Sequence, residues 1–408
     1  MRACNNKLEG TVIARIGRSL SVGRVIGIGV ALLATVIAGG CGSSGGNAPS
    51  TASTSATPST AAAPTSTEAV AGDPVAAAKE FLSAVQNEAN IKFEDFLPKT
   101  SPKAVTGKTI AVVENGAGAE GAVRAANGMK AAGEALGWTV KVTDGQFNPT
   151  VQSQAIQSAV TSNADGIILD SISPQTVGAA VAAAIAAKIP IVTTFNPNDE
   201  DGVFADVSNG TTDGGLALGA WISVHSNNAG KVVNVPDTSL VLTQQRADGV
   251  EQGLAKYCPG CDIVETDQND IATMATRLPS LASSAIQKYG TDNLYMIAPF
   301  DSAALFLVQG AKDANQGTFP IVSMDGNKQA IEAIRDGNYI AATWAGAFEW
   351  MGWQAMDELN RAFNNEPAVP MAKVPNLLVD KSNLPASGAD WAPDFDYQSA
   401  YKRLWGLG

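Results

Sequence analysis

The chain says nearly the same thing twice. Phe319-Pro320-Ile321-Val322-Ser323-Met324-Asp325-Gly326 echoes Ile189-Pro190-Ile191-Val192-Thr193-Thr194-Phe195-Asn196, about 130 residues earlier. The later copy runs from apolar residues into a carboxylate and a glycine. That pattern reads as a buried parallel strand delivering an acid at its carboxyl end. Each copy follows a further buried strand opening on an aspartate, Asp165-Gly166-Ile167-Ile168-Leu169 and Asp292-Asn293-Leu294-Tyr295-Met296. A repeat of this size predicts two similarly built α/β lobes. In open parallel sheets ligands bind beyond the carboxyl ends of the strands. What lies between Phe195 and Asp325 is therefore the functional question.

Strands and helices alternate along both copies, which predicts doubly wound parallel sheets. Strand Lys108–Val113 ends at Glu114-Asn115-Gly116, and a helix over Glu120–Leu136 is closed by Gly137, where a left-handed cap is easiest. Asn148-Pro149 and Ser173-Pro174 open two more helices as cap and first-turn proline. Phe204–Ser208 reads as a crossing segment. The second lobe repeats the scheme from strand Lys231–Val235, through helix Gln245–Tyr257, to strand Tyr339–Trp344. Helix Glu349–Asn364 and a single strand Lys373–Val379 are expected to return to the first lobe and back. Helix Pro74–Asn90 is expected on the outside of the fold or as an extension of a tether. The tail aromatics Trp391, Phe395, Tyr397, Tyr401 and Trp405 are expected to bury themselves against the body.

Upstream lies a targeting segment, set aside before fold reasoning. Basic Arg2, Lys7, Arg15, Arg18 and Arg24 precede the apolar run Val25–Ile37 and Ala38-Gly39-Gly40-Cys41. The run is too short for a comfortable membrane span of about 20 residues. It resembles a bacterial lipoprotein signal, which implies Cys41 as the lipidated first residue of the mature chain. The Ser, Thr, Gly, Ala and Pro of residues 42–67 cannot bury enough apolar surface to order themselves, so they read as a flexible tether. The chain carries 27 basic and 39 acidic residues; without the leader's five basic residues and Glu9, 22 and 38 remain. Such an acidic chain without a basic cluster is a poor partner for nucleic acid. Cys258-Pro259-Gly260-Cys261 is read as a local disulfide rather than a redox dithiol, since it follows a helix and precedes a strand. No metal site or cofactor is expected, because zinc needs more ligands than these two cysteines and the lone His225.

Six stretches in order carry a family resemblance. They are Lys108–Val113 with Leu136-Gly137-Trp138, Asp165–Ile168, Ile189–Thr193, Arg246-Ala247-Asp248-Gly249-Val250, Pro320–Gly326 and Gly337–Thr343. Residues 108 to about 380 resemble the type I periplasmic sugar-binding proteins whose model member binds ribose, the substrate-binding subunits of ABC importers. The resemblance implies two lobes joined by three crossovers that close on a ligand by hinge motion. Ahead of that stretch the signal is read as 1–40, the tether as 41–74, and a helix and linker as 75–107. Residues 108–207 with 346–372 would form the first lobe, and 208–345 with 373–408 the second lobe and tail.

By the same resemblance Arg246 donates to ligand hydroxyls and Asp325 accepts from them, a pairing that suits adjacent hydroxyls. The alternative is a structural ion pair across the cleft. Strand ends add Asn115, Asp170 and Asp301 as candidate contacts. Elsewhere the sequence departs from the family. Ala119, Glu120, Gly121 and Ala122 replace paired aromatics, Phe195-Asn196 replaces an Asp-Arg pair, Phe300 replaces an asparagine, and Gly346, near Trp344 and Phe348, replaces a glutamine. Rings can stack on C–H faces or enclose a more apolar ligand; alternatively Phe195, Trp344 or Phe348 fills core. The expected cleft is polar on the second jaw and aromatic on the first. The function implied is a lipid-anchored monomeric receptor passing a small carbohydrate, polyol or cyclic ligand to an ABC permease. A sensing subunit for a membrane receptor is the alternative. An enzyme is not expected, because no nucleophile or metal constellation accompanies His225.

Overall fold

Apolar strand runs and capped helices sort into two sheets in a computed structural model, which describes residues 72–196, 201–208, 211–370 and 372–408. The proposed signal 1–40, Cys41 and most of the tether lie outside these residues. Helix α1 (Pro74–Val85) comes first. The first lobe follows as β1 (Thr109–Glu114), α2 (Glu120–Leu136), β2 (Thr139–Asp144), α3 (Pro149–Thr161), β3 (Gly166–Asp170), α4 (Gly178–Ala186), β4 (Ile191–Thr194) and β5 (Ala205–Ser208). The second lobe contains α5 (Thr211–Ser226), β6 (Lys231–Asn234), α6 (Val241–Tyr257), β7 (Asp262–Thr266), α7 (Met274–Tyr289) and β8 (Leu294–Ile297). It continues with α8 (Asp301–Ala314), β9 (Ile321–Asp325), α9 (Lys328–Asp336) and β10 (Ile340–Gly346). Helix α10 (Phe348–Phe363), β11 (Ala372–Lys373), β12 (Asn376–Asp380) and α11 (Tyr397–Leu404) complete the chain.

The first sheet has the order β11-β5-β4-β3-β1-β2 and is parallel throughout. The second has the order β12-β10-β9-β8-β6-β7, parallel except for the antiparallel edge strand β12. Both reverse direction in strand order beside their first strand, the geometry that opens a crevice at the strand ends. Three crossovers join the lobes, between Ser208 and Thr211, at Ala347, and at Val374-Pro375. Helix pairs meet through glycines. A Cβ on Gly128 of α2 would lie 2.0 Å from the Glu349 carbonyl of α10, and one on Gly215 of α5 would lie 2.2 Å from the Gly249 backbone of α6. No side chain fits there, so these contacts fix how the helices cross.

Three expectations are corrected. Phe204–Ser208 is no mere crossing: it holds β5, paired between β4 and β11. Lys373–Val379 is split at Pro375 into β11 and β12, which belong to different sheets. The tail does not stay with the second lobe. Its α11 lies on α10 of the first lobe, where Trp405 stacks on Trp353 at 5.4 Å and Tyr397 on Trp350 at 4.8 Å. Tyr397, Tyr401 and Trp405 are buried in that contact, which takes large apolar rings out of water.

The leading segment also spans both lobes. Phe81 of α1 stacks on Tyr257 of α6 at 5.2 Å, while Phe93 and Phe96 reach Trp350 of α10. The Val105 N–H then donates to Asn360 Oδ1 at 3.1 Å, and the Asp394 N–H of the tail donates to Glu88 at 2.9 Å. Two terminal segments thus pass from lobe to lobe beside the three crossovers. Cys258 and Cys261 are joined as a disulfide at the turn after α6, and His225 is an exposed residue stacked on Trp221.

Glu358 of α10 is buried beside Asp357. Burial, then the neighbouring carboxylate, pushes its pKa up to about 8, against the Val369 N–H and Arg361. A carboxyl raised in the folded state adds stability that is complete below its ordinary value of 4.5 and is lost as pH rises through about 8. Glu358→Gln is expected to flatten the fall in melting temperature between pH 5 and 9, leaving the variant a few degrees (~2–6 °C) above wild type at pH 9. Parallel melting curves for the two proteins across that range would contradict this.

Candidate functional site

Parallel strands of both lobes end on one crevice, and three residues at or just past those ends adopt left-handed backbone. Ser171 follows β3 with φ 57°, Phe195 follows β4 with φ 57°, and Asp325 ends β9 with φ 123°. Asp325 is the most strained, since an L side chain rarely adopts that value. Such conformations cost roughly 1–3 kcal/mol each and cluster where a site over-determines them. The strain is pinned by hydrogen bonds. Ser171 N–H donates to Thr194 O at 3.1 Å, Phe195 N–H to Val207 O at 3.0 Å, and Gly326 N–H to Thr343 Oγ1 at 3.1 Å.

The space between these ends is small and is lined from both lobes. Asn115, Ser171, Arg246 and Asp325 supply its polar groups. Arg246 Nη2 donates to Asp325 Oδ1 at 2.7 Å, and Nη1 donates to Pro299 O at 2.9 Å. Both partners belong to the second lobe, so the pair does not cross the cleft. Burial pushes Asp325 upward, while Arg246 and then Arg124 hold it down. Its second oxygen faces the first lobe, 3.4 Å from where a Cβ on Gly121 would stand. Asn115 accepts Gln152 Nε2 at 2.9 Å through Oδ1, which leaves its amide N–H groups without a partner among the described residues.

The remaining predicted residues divide. Phe195 and Phe300 line the space, one from each lobe. Phe348 is buried behind it, edge-on to Phe195 at 4.8 Å. Trp344 faces away: it packs in the second lobe's core, and a Cβ on Gly214 of α5 would meet its ring at 2.6 Å. The alternation of side chains along β10 puts it on the helix side of the sheet. Asp301 supports the site from beneath. It accepts Thr343 Oγ1, Ser323 Oγ and the Asn327 N–H, and burial followed by Asp325 raises its pKa to about 7. Asp170 is fully buried, accepts Thr194 Oγ1 at 2.7 Å, and is pushed well up by burial, so its neighbour Ser171 is the one that lines the cleft. Asn196 is buried beside Phe195 and does not line the space.

The expected contrast between a polar and an aromatic jaw gives way to apolar walls on both. Ala119, Ala122 and Phe195 face Leu240, Ile271 and Phe300, with polar groups from each lobe between them. Sequence reading missed Ser171, Leu240 and Ile271, whose loops carry no pattern, and Leu242 in the first turn of α6. It also missed Arg124, a lone cation on the buried face of α2. From the first lobe Arg124 donates to Asp325 O at 3.0 Å, Asn327 Oδ1 at 3.2 Å, Gly346 O at 3.2 Å and Trp391 O at 2.9 Å. It also pairs with Glu349 through two 3.0 Å bonds. Burial lowers its pKa, but Glu349, Asp390 and Asp325 outweigh that and raise it. A planar fork with five donors is the one side chain that can serve so many acceptors at once.

Comparison with known proteins agrees with this architecture. The ribose import binding proteins RbsB of Salmonella typhimurium strain LT2 and of Escherichia coli K12 are each 22% identical, covering 69% of this chain and 93% of their own. Among solved structures, a galactofuranose binding protein superimposes with a TM-score of 0.61 at 19% identity, over 67% of this chain and 95% of that one. A solute binding protein from Bacillus halodurans C-125 with bound myo-inositol gives 0.60 at 20%, over 70% and 98%. Residues 110–367 match the periplasmic binding protein domain. With two parallel-sheet lobes, three crossovers and strand ends converging on one cleft, the chain belongs to the periplasmic binding protein family, on its type I fold.

Proposed function

We propose that this protein is the lipid-anchored, monomeric receptor of an ABC importer. It captures a small carbohydrate, polyol or related cyclic ligand between its lobes and presents it to the permease. The observation that carries this reading is the Arg246–Asp325 pair, set on strained strand-end backbone and facing the first lobe. A fork of donors beside an acceptor matches two neighbouring hydroxyls. Relatives named for ribose, and fold neighbours that hold polyols, support the ligand class. Lobe closure would be the state that the permease reads.

A panel of pentoses, hexoses, polyols and cyclic alcohols is expected to contain at least one compound that raises the melting temperature. At 100 times its Kd a ligand stabilises by about 2.7 kcal/mol, roughly 5 °C here. A flat panel, confirmed by calorimetry, would rule out the ligand class. Anchoring at Cys41 is tested separately. Cys41→Ala is expected to release the protein from the membrane fraction and abolish incorporation of labelled fatty acid, and unchanged membrane retention would refute it.

A further inference from the structure

The cleft holds few polar groups for a sugar site. Most of its wall is apolar and comes from both lobes, with Ala119, Ala122 and Phe195 on one side and Leu240, Ile271 and Phe300 on the other. The polar groups are few and partly committed. Asn115 Oδ1 is taken by Gln152, and Arg246 spends one N–H on Pro299 and one on Asp325. What remains for a ligand is the second oxygen of Asp325, the other N–H groups of Arg246, the Asn115 amide and the Ser171 hydroxyl. These suffice for two or three hydroxyls. Each further hydroxyl would sit against hydrocarbon, at a cost of roughly tenfold in affinity or more. Charge is balanced as well. Arg246 is neutralised by Asp325 and Arg124 by Glu349, so neither cation calls for an ionised ligand.

We propose that the cleft selects a compact neutral ligand with one pair of adjacent hydroxyls and an otherwise deoxygenated body. The hydroxyl edge meets Asp325 and Arg246, and the apolar body fills the space between Phe195 and Phe300. This rests on the reading of the cleft as a carbohydrate or polyol site, and narrows it. The wall that would contact the body is built of side chains without hydrogen-bonding atoms, so extra hydroxyls are penalised by the unmade bonds and not by size.

The test compares matched pairs by calorimetry and ligand-observed NMR on the full chain: cis-1,2-cyclohexanediol against myo-inositol, D-fucose against D-galactose, and phenylethane-1,2-diol against glycerol. The member with fewer hydroxyls for its carbon skeleton is expected to bind at least tenfold more tightly in each pair. Phe300→Asn, which adds a polar partner to the wall, is expected to shrink or reverse that preference. Equal or tighter binding of myo-inositol and D-galactose to the wild type would overturn the inference and leave the sugar-receptor reading standing. Binding of no compound in either set, alongside a flat panel, would overturn that reading and this one together.

Discussion

Replacing Arg124 by methionine is expected to lower the melting temperature by about 6–10 °C and to loosen the closed arrangement of the lobes. The guanidinium is buried and serves carbonyls of Asp325, Gly346 and Trp391, the Asn327 amide and the Glu349 carboxylate. Methionine fills much of its volume but leaves those acceptors without a donor. Breaking a buried charged network by removing one partner costs about 3–5 kcal/mol, and a unit of this size loses roughly 2 °C per kcal/mol. Because Arg124 stands on α2 and two of its acceptors, Asp325 O and Asn327 Oδ1, belong to the second lobe, the loss falls on the contact between lobes. Small-angle scattering of the ligand-free variant should therefore show a larger radius of gyration than wild type. Arg124→Lys should recover little, since an ammonium has three donors and no fork. A methionine variant with wild-type melting and scattering would show that the network contributes nothing.

The sequence displayed the fold far more fully than the site. Strand ends such as Ile321–Asp325 combine apolar runs with a terminal acid, and this local pattern survives in any parallel sheet. Side-chain direction is a different matter. Trp344 and Phe348 are four residues apart, yet one faces the second lobe's core and the other backs the cleft. Trp344 lies on β10 and Phe348 opens α10, on opposite sides of the crossover at Ala347, a boundary that no local pattern marks. Asp170 and Asp301 end or follow strands as Asp325 does, yet both turn inward to threonine hydroxyls, Thr194 and Thr343. The difference lies in φ: at 123° Asp325 is swung toward the opposite lobe, and no residue type announces such a value. Ile271 and Leu240 are loop residues whose place in the cleft depends on lobe closure. The tail was misassigned because five closely spaced rings, from Trp391 to Trp405, reveal burial but not the surface that buries them.

Asp325→Ala is expected to weaken ligand binding by at least 100-fold, with Asp325→Asn losing less, about 10- to 50-fold. The carboxylate is the acceptor for ligand hydroxyls and also orients Arg246 through its 2.7 Å bond. Alanine removes the acceptor and releases the arginine, so two charge-assisted contacts fail together, each worth about 1.5–3 kcal/mol. Asparagine keeps one acceptor and tolerates left-handed backbone better than most residues, so the variant should stay folded. It nevertheless surrenders the negative charge and points an amide N–H at either Arg246 or the ligand. The readout is Kd by calorimetry for the best ligand of the panel, with circular dichroism to confirm the fold. Asp301→Asn is the control for a merely structural carboxyl. Asp301 is already inclined to hold a proton, with a pKa near 7, and lies beneath the cleft on Thr343 and Ser323. Its asparagine variant should change Kd less than fivefold at pH 6, where that proton is mostly in place. If Asp325→Asn bound as tightly as wild type while Asp301→Asn lost the ligand, the polar edge of the site would belong to Asp301, and the outward swing of Asp325 would need another explanation.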